Sequence, residues 1–390
     1  PQVDDRQSRV QEAKVFLDIL AFVIRPPVSK QRGDRRQFAL LDPRFPFDDS
    51  SDSAHGPTQG KKAPDGRECP LAGQGNPCRG ARCATMSRRI LIIRLSAIGD
   101  IVMASPLIPA LRAAHPDGWL AWMVEEGMES LIEAHPQLDE VIIWPRRRWQ
   151  RLWREDRRNW WREVRAFVRR LRGSRFDLVL DAQGLLKSAA WAWLSGAPRR
   201  IGLNSREGSR WLMQQVVHEL DDHPGMSSEY RRLAQFLGLS TDDFHPSIAL
   251  TEADRARVLE MVGSERAARG YAVAAPFTTR PQKHWPQAHW RQWIDLLAEQ
   301  TGLPTLLLGG PGDRAAAQQI SAGCRHAPID LVGQLTLRQS AAAIASARLL
   351  VGVDTGLTHM GAGFRVPTVA LFGSTRPYLD AGLPGFRVIY

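Results

Sequence analysis

The chain has 390 residues, enough for two α/β domains of ordinary size, each with its own core. Its 52 Lys and Arg against 41 Asp and Glu leave a net charge of +11, which favours an anionic partner: a phosphorylated substrate, an acidic membrane surface or nucleic acid. No uninterrupted apolar run reaches the ~18 to 20 residues of a membrane span. Three of the four cysteines (Cys69, Cys78, Cys83) crowd into the start, leaving Cys324 for the rest, a usage that fits neither a disulfide framework nor a zinc site and suits a reducing cytosol.

Residues 1–85 are rich in Pro, Gly, Arg, Asp and Ser, with one apolar patch at 15–24 that Asp18 interrupts, and are expected to be disordered. No small-residue cleavage site lies near that patch, which argues against a targeting segment. Met86 stands just before the first convincing strand and reads as the native start, with the residues ahead of it an over-extended reading or tail. Strands and helices then alternate. Residues 90–93 form an aliphatic run that reads as a buried parallel strand, and Ser96-Ala97-Ile98-Gly99-Asp100 turns it into a helix. Leu107, Ala110, Leu111 and Ala114 recur at helical spacing, with Pro106 suited to the first turn.

Residues 119–124 and 141–144 are further strand candidates, separated by a helical stretch at 128–134. Between 146 and 175 the chain carries 13 arginines against Glu155, Asp156 and Glu163, with Trp149, Trp153, Trp160 and Trp161 interleaved. This stretch is helical in tendency, and it reads either as a solvated helix or as a surface for an anionic lipid or sugar acid. Residues 177–181 form another buried strand, followed by a turn into a helix at 182–188. A helix at 227–237 and a polar segment at 240–246 suggest a domain junction, after which Thr251 and Asp254 predict a helix N-cap with an acidic third residue. A second α/β series follows: strands at 271–275, 304–308, 349–353, 368–372 and 387–390, with helices at 288–300, 314–323 and 338–346. The simplest assembly is two doubly wound domains with a cleft between them, spanning residues 86–245 and 246–390.

The chemistry-bearing residues sit at strand ends, where ligands bind in open α/β sheets. The chain has no Gly-x-x-x-x-Gly-Lys-Ser/Thr loop, and no Gly-x-Gly-x-x-Gly follows the first strand, so the first βα turn does not read as a dinucleotide site. Asp100 at a helix start is stabilised as an anion and ready to accept a proton, or simply caps the helix. Thr278 and Thr279 with Lys283 make a natural phosphate clamp after a buried strand. In Asp354-Thr355-Gly356-Leu357-Thr358-His359 a helix N-terminus offers N–H groups to a diphosphate, and Gly356 permits close approach, while His359 taken alone reads as a packed helix residue. Asp313 either accepts from ribose hydroxyls or caps the helix that starts at Arg314.

Four stretches in order, Ser96 to Asp100, Asp181-Ala182-Gln183-Gly184-Leu185-Leu186-Lys187-Ser188-Ala189, Thr278-Thr279-Arg280 with Lys283-His284-Trp285-Pro286, and Val353 to His359, carry a resemblance. The chain from Met86 onward resembles the lipopolysaccharide heptosyltransferases of glycosyltransferase family 9. The resemblance implies a GT-B type α/β fold, two Rossmann-like doubly wound domains facing across a cleft, with the acceptor on the N-terminal side and the nucleotide sugar on the C-terminal side. It implies inverting transfer of L-glycero-D-manno-heptose from ADP-L-glycero-D-manno-heptose to a Kdo sugar of Kdo2-lipid A, with no cofactor and no metal. Asp100 matches the family's catalytic base. Thr278, Thr279 and Lys283 match donor phosphate contacts, and Asp354, Thr355, Gly356 and His359 the donor-sugar and diphosphate loop. Asp313 stands where the family often has Glu, and Leu335 where a Met lines the adenine pocket.

On the acceptor side, Arg146, Arg147, Arg148, Gln183 and Lys187 are the candidates for the acidic Kdo and lipid phosphates. An enzyme on that acceptor would work at an anionic membrane surface, on the cytoplasmic face of the inner membrane. The family's helical tail has no counterpart before Tyr390, which reads as a C-terminal truncation. Two alternatives stay open: a family 9 enzyme with a different core acceptor, and a basic nucleic-acid-binding protein, which predicts salt-sensitive binding and no ADP affinity. The four motifs weigh against the second, so no nucleic-acid partner is expected.

Overall fold

A computed structural model describes residues 88–218, 225–375 and 377–390, which belong to one unit. The expectations for residues 1–85 and for a start at Met86 lie outside them. Two sheets of six parallel strands carry the fold. The first comprises β1 (Arg89–Ile93), β2 (Trp119–Glu125), β3 (Glu140–Trp144), β4 (Leu178–Asp181), β5 (Arg199–Leu203) and β6 (Gln215–Val217), ordered β3-β2-β1-β4-β5-β6. The second comprises β7 (Ala272–Ala275), β8 (Thr305–Leu307), β9 (Ile329–Asp330), β10 (Leu349–Val353), β11 (Thr368–Leu371) and β12 (Phe386–Ile389), ordered β9-β8-β7-β10-β11-β12. Both orders are the doubly wound one, in which the chain reverses direction across the sheet beside its first strand. The aliphatic run Ile90 to Ile93 is buried because helices cover both faces of β1, and Leu349 to Val353 repeats that pattern in β10.

Twelve helices accompany the sheets among the described residues. In the first half these are α1 (Ile98–Ala104), α2 (Leu107–Ala114), α3 (Arg146–Glu155), α4 (Arg157–Gly173), α5 (Leu186–Leu194) and α6 (Ser228–Phe236). In the second they are α7 (Glu252–Val262), α8 (Ser264–Arg269), α9 (Gln287–Thr301), α10 (Arg314–Ala322), α11 (Leu337–Ala345) and α12 (Gly356–Gly363). The Thr251–Asp254 capping box forms at the start of α7 as its spacing predicts.

The structure corrects or refines the sequence reading at four places. Pro106 does not lie inside a first helical turn: it separates α1 from α2, since it has no N–H to continue the ladder and Ser105 Oγ donates back to Val102 O at 2.6 Å. The helix expected at 128–134 is only a 3₁₀ turn, Glu129–Leu131, because Gly127 at φ 90° and Pro136 leave too few residues to nucleate an α-helix. The arginine-rich stretch is two helices, broken at Asp156, which caps α4 by accepting from the Asn159 N–H at 3.0 Å. Strands β5, β6 and β9 and helix α8 were not expected: β5 opens on Arg199-Arg200, and β6, β9 and α8 are short and without a clear apolar period.

Between Phe236 and Glu252 the chain passes from one sheet to the other. Polar ties join the halves: Arg338, which also holds Asp254 of its own half, donates to Glu133 at 2.6 Å, and the Ser247 N–H donates to Ser105 Oγ at 2.7 Å. His135 Nε2 meets Ser247 Oγ at 2.9 Å, and burial pushes its imidazole down to about 4.

Candidate active site

Strand-end loops converge because they flank the switch point of each sheet. β1 delivers α1 and its Asp100, while β7 delivers the 278–283 loop and its neighbour β10 delivers Asp354 and α12. The N-termini of α1 and α12 pack directly on each other. A Cβ at Gly99 would stand 2.6 Å from His359 Cδ2, and one at Gly356 would overlap Ile98, so both positions require glycine for the approach.

On the first side, Asp100 caps its own helix by accepting from the Ala97 N–H at 3.1 Å and also pairs with Arg94. Its side chain remains 36% exposed, open to a substrate hydroxyl. Arg94 is buried at the end of β1, donates to Ala182 O at 2.8 Å and lies over the Tyr230 ring at 5.8 Å. Behind it, Asp181 ends β4 fully buried, with one oxygen accepting from the Gln183 and Gly184 N–H groups, both at 3.1 Å. Burial pushes its carboxyl up to about 6, against the opposing pull of Ser188, those two N–H groups and Arg94.

The acceptor-side candidates separate. The Lys187 ammonium has its pKa lowered, first by burial and then by the charge of Arg146. Arg146 is tied to Glu125 at 3.1 Å. Gln183 uses its side-chain oxygen to hold the Leu95 N–H at 2.8 Å, which fixes the end of β1. Arg147 contributes a backbone N–H to Glu126 at 2.7 Å, and Arg148 forks onto Glu163 of α4 at 3.0 and 2.6 Å. The structure thus ties Arg146 to Glu125 of β2, and engages Arg148 in a pair between α3 and α4.

On the second side, Asp354 is 8% exposed and receives three donors. Lys283 Nζ lies 2.5 Å from Oδ2, the Thr375 hydroxyl donates to the same oxygen, and His359 Nε2 lies 3.4 Å from Oδ1. Burial alone would raise this carboxyl, but the hydrogen bonds from His359, Lys283 and Thr375 outweigh it and hold it well below the usual carboxylate range. Thr355 is the N-cap residue of α12 and Gly356 its first residue, which leaves the helix N-terminus without a side-chain cap. His284 donates to Thr278 O at 2.8 Å and so folds the Thr278, Thr279, Lys283 loop back on itself. Asp313 caps the turn ahead of α10 by accepting from the Gly310 N–H at 2.8 Å, and Leu335 packs half-buried against the core. Sequence reasoning missed Arg94, Thr375 and Tyr378, and it read Asp181 as a strand end and the first residue of a resembling stretch, with no role of its own. A cation closing an otherwise aliphatic strand was the one available signal, for Arg94.

Two doubly wound sheets, with a carboxylate open to solvent at one switch point and a lysine beside a bare helix N-terminus at the other, fit the GT-B type of glycosyltransferase. A family model described as Glycosyltransferase family 9 (heptosyltransferase) matches residues 164–382. Lipopolysaccharide heptosyltransferase 1 of Pseudomonas aeruginosa is 32% identical over 291 residues, covering 74% of this chain and 79% of the relative. Its counterpart in Escherichia coli K12 is 30% identical over 298 residues, covering 75% and 90%. The solved structure of E. coli heptosyltransferase WaaC with ADP superposes with a TM-score of 0.63 at 30% identity, covering 77% of this chain and 92% of that one. The chain belongs to glycosyltransferase family 9.

Proposed function

We propose that the protein transfers L-glycero-D-manno-heptose from ADP-heptose to a Kdo residue of Kdo2-lipid A, with inversion. The observation that carries this reading is the packing of the α1 N-terminus, with Asp100, against the α12 N-terminus, with His359 and Asp354. The relatives named heptosyltransferase 1, and a WaaC structure solved with ADP-2-deoxy-2-fluoro heptose at 29% identity, support the donor. Asp100 takes the proton of the acceptor hydroxyl as its oxygen attacks the anomeric carbon from the face opposite ADP. The glycosidic bond forms, the bond to the diphosphate breaks, and ADP leaves with the electron pair. Lys283, Thr278, Thr279 and the free N–H groups at the start of α12 stabilise that growing charge, so the chemistry calls for no divalent metal.

Lys187 and Arg146 receive the carboxylates and phosphates of the acceptor, and the α3–α4 hairpin faces an anionic bilayer on the cytoplasmic side of the inner membrane. Trp153 (44% exposed) and Trp161 (56% exposed) stand among exposed arginines there, a composition suited to an interface that is part apolar and part charged. No helix of the described residues is long and apolar enough to cross a membrane. The test is transfer from ADP-heptose to Kdo2-lipid A in the presence of EDTA. Transfer to a core already bearing one heptose, but not to Kdo2-lipid A, would move the protein to a later step. ADP-heptose left intact with both acceptors would refute the proposal.

A further inference from the structure

His359 is 3% exposed, and its ring meets three groups that the sequence does not place near one another. Nε2 faces Asp354 Oδ1 at 3.4 Å, Nδ1 meets Tyr378 Oη at 2.8 Å, and the Cδ2 edge abuts Gly99 at the start of the base's helix. Tyr378 is fully buried, edge-on to His359 at 5.4 Å and to Phe372 at 5.3 Å, in a cluster with Met226, Ala381 and Phe386. Its hydroxyl has no other hydrogen-bond partner among the described residues.

We infer that Tyr378 is a positioning residue that fixes His359 as the neutral Nε2–H tautomer and so holds the imidazole between the donor loop and the helix of Asp100. The argument is one of hydrogen accounting. An ionised carboxylate only accepts, so the ring nitrogen facing Asp354 carries a hydrogen. A buried phenol hydroxyl needs an acceptor, and Nδ1 is the one within reach, so Nδ1 carries none. An Nδ1–H tautomer would set a bare nitrogen against the carboxylate, and an imidazolium would leave the phenol hydrogen unaccepted in an apolar cluster. Both ends therefore select the same tautomer, as a second partner does for catalytic histidines. The consequence for transfer rests on the function proposed above: a ring free to exchange tautomers loosens the contact with Gly99 and with it the placement of Asp100 against the donor sugar.

The test uses the full chain with ring-labelled histidine, in which nitrogen NMR separates protonated from unprotonated ring nitrogens, and His359→Gln identifies the signal. The wild type is expected to show the Nε2–H form alone near neutral pH, and Tyr378→Phe a mixture of tautomers. In heptose transfer, Tyr378→Phe is expected to lower kcat by a few-fold to about tenfold, the worth of one hydrogen bond, with the KM for ADP-heptose unchanged. An Nδ1–H or doubly protonated ring in the wild type overturns the inference, as does an unchanged spectrum in Tyr378→Phe. A wild type that transfers no heptose yet shows the Nε2–H ring would remove the function and leave the tautomer assignment standing.

Discussion

The two halves use one strand order and put a carboxylate at the switch point of each, yet the carboxylates have opposite surroundings. Asp100 is 36% exposed with one cation beside it, whereas Asp354 is 8% exposed and holds Lys283, Thr375 and His359. An open carboxylate with spare lone pairs can take a proton during reaction. A buried one saturated by donors organises its loop instead. Fold alone does not assign chemistry; the number of donors around each carboxylate does.

Four measurements sharpen or break this contrast. Asp100→Ala should reduce transfer by about 10²- to 10⁴-fold, the usual worth of a general base, with ADP affinity by calorimetry unaffected. Undiminished turnover would end the distinction. Asp354→Ala should instead lower stability, because it strands the ammonium of Lys283, which is only 15% exposed. The expected loss in chemical denaturation is about 3–5 kcal/mol, and an unchanged midpoint would show that Asp354 is not the organising anchor.

The third concerns two buried groups of the first half whose pH effects oppose each other. His135 is lowered from 6.5 to about 4, so its contribution is present above pH 6.5 and is lost as pH falls through about 4. Asp181 is raised from 3.8 to about 6, so its contribution is present below pH 3.8 and is lost as pH rises through about 6. Each amounts to on the order of 3 kcal/mol. The wild type should therefore change little in stability between pH 4 and 6. Asp181→Asn, which keeps an oxygen for the Gln183 and Gly184 N–H groups, should become steadily more stable over that range. Parallel melting curves for the two proteins would contradict this. The smallest expected effect belongs to Lys187→Ala, with the acceptor KM up about tenfold and the donor KM unmoved. A shift in donor KM would put Lys187 on the wrong side of the cleft.

Much of the fold was legible in local pattern. The aliphatic runs of β1, β4, β7 and β10 and the capping signature at Thr251 depend on neighbours a few residues away, and they appeared within a residue or two of their expected bounds. Strands β5, β6 and β9 carry little periodicity and become strands by pairing in register with β4, β5 and β8. The loops of the candidate site were visible for the same reason as the strands, since small residues, glycine and a polar cluster close each aliphatic run.

What the sequence determined by itself was where the aliphatic strands β1, β7 and β10 end and which side chains wait there: Asp100, Lys283, Asp354 and His359. Tertiary structure decided which of them share partners. Arg94 reaches Ala182 across 88 positions, Lys283 reaches Asp354 across 71, and Gly99 meets His359 from the opposite half of the chain. The reason is physical: burial and hydrogen bonding act through space, so they set the proton affinity of a side chain only once the sheets have brought distant strand ends together.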